Sequence, residues 1–170
     1  MVRQCDAYEW TERDKRIYLL VLIPFLVAFV GAAVLMATIS IHWVVTLIAL
    51  YLLGNFFQAG CCSACPYRGR YCPALFGIFF ANRLSAGIYG NRDYDERFFN
   101  RNAILAAAVV VVIGTLCASL LFTIHWAYGI AFLSLSTAHV VLFSRAICPK
   151  CGFNETCPGG RWARRGEGTT

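Results

Sequence analysis

Two stretches of the sequence carry the same arrangement of three cysteines: a Cys-x2-Cys pair, then a cysteine that precedes a proline. The first stretch contains Cys62, Cys65 and Cys72, and the second contains Cys148, Cys151 and Cys157. Two Cys-x2-Cys pairs together supply the four thiolates that a tetrahedral zinc site requires, each sulfur about 2.3 Å from the ion. Because the pattern occurs twice, scattered small residues explain it poorly. The sequence therefore predicts a metal site.

The spacing favours one shared ion. Its predicted ligands are Cys62, Cys65, Cys148 and Cys151. The other motif cysteines, Cys72 and Cys157, then lie beside this site or join Cys61 and Cys5 in a second site. Zinc is the favoured metal, and an iron–sulfur cluster is the alternative because it accepts the same four thiolates. The run of four cysteines that is typical of bacterial ferredoxins is absent from the sequence.

The same cysteines permit a redox interpretation. Cys148 and Cys151 could form a dithiol pair whose thiol pKa is lowered by Lys150 and Arg145, and a lowered pKa is what thiol–disulfide exchange uses. Membrane thiol–disulfide oxidoreductases act on the oxidising side of a membrane. The charge pattern described below predicts the opposite side for these cysteines.

Composition indicates the elements that position the cysteines. The 170 residues are 59% hydrophobic and 14% charged, whereas a soluble domain has about 25% charged residues. No Asp, Glu, Lys or Arg occurs in the 51 residues from Ile17 to Tyr67 or in the 43 residues from Asn102 to Ser144. About 20 apolar residues cross a bilayer as a helix, so each gap accommodates a hairpin of two. We expect an all-α integral membrane protein with four transmembrane helices.

The hairpins divide the chain into five predicted segments. These are the N-terminal segment 1–16, hairpin 17–60, a cysteine motif with a charged linker at 61–101, hairpin 102–146, and the second cysteine motif with a basic tail at 147–170. The tripeptide Ile-His-Trp occurs at 41–43 and at 124–126, where each hairpin is expected to turn. We therefore predict two pseudo-repeated hairpins related by an axis along the membrane normal.

Residues 73–90 open with Pro and close with Gly, and they place apolar side chains at helical spacing. Those side chains are Phe76, Phe79, Phe80, Leu84 and Ile88, with Arg83 among them. The segment is too short and too polar to cross a bilayer. It predicts an amphipathic helix that lies in the membrane interface or packs under the cysteine loops.

The positive charges predict the topology. All 15 Lys and Arg residues lie outside the two charge-free gaps, 17–67 and 102–144, and the hairpin turns contain none. By the positive-inside rule both termini and both cysteine motifs face the cytoplasm, a reducing compartment in which clustered cysteines are metal ligands more often than disulfides. The net charge of +6 is then explained by the lipid bilayer, with no nucleic acid as a partner.

Three histidines, His42, His125 and His139, raise a haem hypothesis. His42 and His125 fall at the predicted turns, where a histidine next to a tryptophan is typical of a membrane interface. His139 within a helix is better explained by a hydrogen bond to nearby hydroxyl groups. The leading functional prediction is a structural or adaptor protein whose metal-organised face binds a membrane or cytoplasmic protein. An electron-transfer subunit with an iron–sulfur centre is second, and a thiol–disulfide oxidoreductase is third.

Overall fold

The computed structural model describes residues 8–63, 65, 71–73, 81–90 and 95–151. Within these ranges the chain is helical apart from its connections, and no strand occurs in them. The helices are α1 (Glu12–Ile39), α2 (Ile41–Ser63), α3 (Ala81–Tyr89), α4 (Glu96–Ile124) and α5 (Trp126–Ala146), followed by a 3₁₀ turn at Cys148–Lys150.

Helices α1, α2, α4 and α5 are long and apolar enough to cross a membrane, as the charge-free gaps predict. Their outward faces are apolar: Leu20 is 65% exposed, Ile104 70% and Trp126 64%. A soluble helix bundle would place polar side chains on this surface. The exposed faces are therefore suited to lipid.

Each hairpin turns at a single extended residue. Ser40 ends α1 with φ −166° and ψ 138°, and His125 ends α4 with φ −164° and ψ 135°. In both turns the side chain of that residue accepts a hydrogen bond from the backbone N–H two residues later, which caps the next helix. Ser40 and His125 are thus the equivalent residues of the two turns. The repeated tripeptide had predicted that His42 and His125 are equivalent. His42 is already the second residue of α2.

The long helices pack in a ring, with α1 against α2 and α5, and α4 against α2 and α5. Small residues permit the close contacts. At Gly60 of α2, an added Cβ would lie 2.5 Å from the side chain of Asn102 on α4. Cys117 is fully buried in the apolar cluster that contains Ala32 and Met36, where it serves as a small core residue.

Helix α3 packs on α2. The Tyr89 hydroxyl donates to the backbone carbonyl of Phe56 at 3.4 Å, and the Tyr89 ring also contacts Phe98 at the start of α4. The predicted amphipathic segment thus contains a helix, although Phe76, Phe79 and Phe80 lie outside the described residues. Ile88 is 44% exposed.

Pro24 lies within α1, where it has no N–H to give to the carbonyl four residues earlier and its ring crowds that turn. That carbonyl belongs to Leu20. The next carbonyl along the helix, that of Val21, accepts a hydrogen bond from His139 Nδ1 of α5 at 2.8 Å. His139 is fully buried. A neighbouring helix thus supplies a donor beside the proline, a common solution in membrane helices.

Candidate metal centre

The first Cys-x2-Cys motif spans the C-terminal end of α2 and the second follows α5, and the hairpin topology places both at the same end of the bundle. Each motif forms the same backbone turn. The Cys65 N–H donates to the Cys62 carbonyl at 3.3 Å, and the Cys151 N–H donates to the Cys148 carbonyl at 3.2 Å. The two cysteines of each pair are thus joined across one tight turn.

The segment 71–73 is positioned by the start of α1. The Tyr71 ring meets the Tyr18 ring edge-on with centroids 6.3 Å apart, and the Lys15 ammonium lies 5.5 Å from the centre of the Tyr71 ring. These aromatic and cation–π contacts fix the residue next to Cys72. The third cysteine of the first motif is therefore held against the first helix.

The second motif also rests on α1. Ile147, which is 2% exposed, packs with Tyr18, Val21 and Phe143 in a small apolar cluster. Cys148 packs against the edge of this cluster. The turn of the second motif is thus anchored between α1 and the end of α5.

A buried carboxylate joins the N-terminal region to the second motif. Asp14 is 3% exposed, and it accepts hydrogen bonds from Tyr8 Oη at 3.1 Å and from the N–H and hydroxyl of Thr11. Its other oxygen binds the Lys150 ammonium. Asp14 lies outside the apolar run that begins at Ile17, and its bonds to Lys150 and then to Thr11 hold its pKa far below the ordinary value. The sequence analysis missed this residue, although the Thr-x-x-Asp spacing is that of a capping box.

The electrostatics of Cys72 show that both motifs approach it. Its pKa lies well above the ordinary value, first because the thiol is withdrawn from water and then because thiolates at Cys65, Cys62 and Cys151 would repel its negative charge. Two of these neighbours belong to the first half of the chain and one to the second. The structure therefore brings cysteines from both motifs into one electrostatic neighbourhood.

The described sulfur atoms are not gathered at coordinating distances. Among the described residues, no three His, Cys, Asp or Glu side chains form a group that could hold an ion. Cys61 turns toward α4, where its thiol donates to the Phe99 carbonyl at 3.6 Å. Cys157 and Cys5, which the sequence assigns to the main site or a second one, lie outside the described residues.

One residue of the redox interpretation has a different partner. The Lys150 ammonium, which was expected to lower the thiol pKa of Cys148 and Cys151, binds the Asp14 carboxylate. The thiol–disulfide interpretation of this cysteine pair otherwise stays a prediction.

The histidines have structural roles. His125 Nδ1 caps α5 by accepting from the Ala127 N–H at 3.2 Å, and the His42 ring contacts the Ser40 hydroxyl at 2.9 Å. His139 is bonded to the Val21 carbonyl, a partner on another helix that the sequence did not predict. Each of the three histidines thus has a structural contact.

No protein-family model, curated protein or solved structure matches this chain. A functional assignment therefore depends on the chemistry of its own residues. The cysteine neighbourhood at the end of the bundle is the strongest concentration of such chemistry in the described part of the chain.

Proposed function

We propose that the protein is a four-helix membrane protein whose cysteine-bearing end faces the cytoplasm and holds a zinc ion. The charges support this orientation. Lys15, Arg97, Arg145 and Lys150 lie at the end of the bundle that carries the cysteines, whereas the opposite end, with Ser40 and His125, has no Lys or Arg. Positive residues of this kind remain on the cytoplasmic side during insertion.

The metal proposal is supported by the similar turns that both Cys-x2-Cys motifs form at one end of the bundle and by the Cys65, Cys62 and Cys151 thiolates that raise the pKa of Cys72. We infer that Cys62, Cys65, Cys72 and Cys151 are the four ligands, with Cys148 as the alternative to Cys72. Burial and the neighbouring thiolates raise the pKa of the Cys72 thiol, and a bound divalent cation would remove this repulsion, so the thiol would release its proton on binding. Binding would draw the sulfurs together to about 2.3 Å from the ion.

Such an ion would join three separate parts of the chain: the end of α2, the segment 71–73 and the turn after α5. We propose that its role is structural, and that the fixed surface binds a membrane or cytoplasmic protein. Lys150 and Tyr71 are 42% and 38% exposed beside the cysteines. The proposed surface therefore exposes part of the Lys150 side chain and part of the Tyr71 ring to a partner.

We further propose that the two hairpins descend from one duplicated hairpin, with equivalent residues 85 positions apart in the sequence. This offset aligns the extended turn residues Ser40 and His125, and it aligns buried residues throughout both hairpins. The buried pairs are Val21 with Ala106, Ala32 with Cys117, Met36 with Leu121, Leu47 with Phe132, Gly54 with His139, and Ala59 with Ser144. A shared burial pattern explains why both Cys-x2-Cys motifs end on one side.

Metal analysis of the purified full-length protein tests the proposal. Protein prepared in detergent under reducing conditions should contain about one zinc per chain, since the inferred ligands form one tetrahedral site. Cys72→Ser should lose most of the zinc. Cys117→Ala is the matched control, because this cysteine lies in the apolar core, and it should keep the metal.

Three outcomes distinguish the alternatives. Loss of zinc in Cys148→Ser but not in Cys72→Ser would return the site to the symmetric ligand set of the two Cys-x2-Cys pairs. Iron with equimolar sulfide in anaerobically purified protein would identify the electron-transfer alternative. Protein without stoichiometric metal, purified in the absence of chelators, would refute the proposed function.

A further inference from the structure

A cavity of about 440 Å³ lies between the four long helices. Its volume falls within the roughly 300–1,000 Å³ that is usual for small-molecule sites. Apolar side chains from all four helices form most of its wall, including Phe25, Tyr51, Val110 and Phe132, and none of the described residues that line it is charged. An occupant must therefore be uncharged and largely apolar.

The cavity opens toward the outer surface of the bundle. Leu133 lines it and is also 45% exposed, so the opening reaches the surface that would contact lipid in a bilayer. Entry from the hydrocarbon region would require no passage through the polar ends of the helices. The bilayer is thus the natural source of an occupant.

One buried polar atom in the cavity wall can accept a hydrogen bond that no described residue donates. Asn55 is 2% exposed and lines the cavity. Its Nδ2 donates to the Tyr51 carbonyl at 2.9 Å, whereas its Oδ1 accepts no hydrogen bond from any residue that the structure describes. A buried amide oxygen without a donor is unfavourable, and polar side chains at membrane depth commonly mark a binding site.

We propose that this cavity binds an uncharged lipid-soluble molecule that carries a hydroxyl group, and that Asn55 Oδ1 accepts the hydrogen bond from this hydroxyl. The apolar wall receives the hydrocarbon or ring portion of the molecule. Because Asn55 Oδ1 can only accept a hydrogen bond, it favours a donor over an ether or ester oxygen. Two sources share this chemistry, a diacylglycerol and a hydroquinone, and neither depends on the zinc site.

Binding of matched probes to the full-length protein in detergent tests the proposal. One pair is dioleoylglycerol and its methyl ether, and the other is a decyl hydroquinone and its dimethyl ether, which has no hydroxyl group. Affinity is measured from the rise in melting temperature with probe concentration. Wild-type protein should bind the hydroxyl member of one pair roughly tenfold more tightly than its ether, the effect of one net hydrogen bond. The pair that shows this preference identifies the source.

Three variants separate the role of the oxygen from that of the cavity. Asn55→Leu should bind both members of the preferred pair equally, because it replaces the acceptor with an apolar side chain of similar size. Gly114→Leu should abolish binding, because Gly114 lines the cavity and an added Cβ there meets open space. Gly31→Leu is its matched control, since Gly31 is also a helical glycine with open space but does not line the cavity. It should bind as the wild type does.

Equal affinity for hydroxyl and ether in the wild type would overturn the proposal, as would a preference that survives in Asn55→Leu. Absence of binding by all four probes would also overturn it and would indicate that water satisfies Asn55. The zinc content of the same samples is an independent readout. A failed probe experiment with full zinc content would leave the proposed function intact.

Discussion

Replacement of His139 tests whether the fold depends on a donor beside Pro24. In His139→Leu the Val21 carbonyl loses the hydrogen bond that it accepts at 2.8 Å. Side-chain hydrogen bonds between membrane helices contribute roughly 0.6–2 kcal/mol. We expect the upper part of this range, because His139 is fully buried and no water can replace its N–H.

The free energy of unfolding in mixed detergent micelles is the quantity to measure, in a double-mutant cycle with Pro24→Ala. Without the proline, residue 24 regains an N–H for the Leu20 carbonyl and α1 regains regular geometry, so the Phe25 N–H can bond the Val21 carbonyl within α1. His139→Leu should therefore cost less in the Pro24→Ala background, with a coupling of about 0.5–1.5 kcal/mol. His42→Leu is the control. This histidine lies at an exposed turn, and its loss should cost under about 0.5 kcal/mol.

Equal costs of His139→Leu in the two backgrounds would show that the proline is not the reason for the histidine. A cost no larger than that of His42→Leu would refute the importance of the hydrogen bond itself.

Three further perturbations have defined outcomes. Gly60→Ala should destabilise the bundle by roughly 1–3 kcal/mol, because the new Cβ would lie 2.5 Å from the Asn102 side chain. Gly31→Ala is the control: with nothing within 4 Å of the added Cβ, it should be neutral or stabilising by up to about 1 kcal/mol. The melting temperatures of the two variants test this difference. Asp14→Asn should lower the melting temperature at neutral pH. Since the folded pKa of Asp14 is lowered, its stabilisation is present above the ordinary carboxyl pKa of about 4 and is lost as pH falls through the folded pKa, so the gap between variant and wild type should close in acid. A gap that is constant with pH would contradict this. A membrane-impermeant thiol reagent should not label Cys72 in intact cells after metal removal, and labelling from outside would reverse the proposed topology.

The sequence was sufficient to predict the four long helices, because a bilayer-length run without charge has few other structural solutions. The helix ends were less predictable. Helix α1 begins at Glu12, before the apolar run, because Thr11 and Asp14 form a capping box, and α4 begins at Glu96, within the predicted linker, because Asp95 caps it. Local hydrogen bonds, which hydropathy does not register, set these boundaries.

Contacts between distant parts of the chain were beyond sequence reasoning. Asp14 and Lys150 are 136 residues apart, and His139 meets a carbonyl 118 residues away. No local pattern specifies such partners, because they depend on how the helices pack. The approach of the two cysteine motifs was predictable only because two hairpins of similar length return the chain to the same end. The position of Cys72 near both motifs was not predictable, because it depends on the contact between the Tyr71 and Tyr18 rings.

The central claim, one ion shared by both halves of the chain, is tested most directly by zinc content and melting temperature in Cys62→Ser, Cys151→Ser and the double variant. A structural zinc contributes roughly 10–16 kcal/mol apparent in small peptides, far more than an interhelical hydrogen bond. Each single variant should therefore lose most of its zinc and stability, and the double variant should lose little more, because all three remove the same site. Half the zinc retained in each single variant, with additive losses in the double variant, would instead show two separate sites and contradict the account.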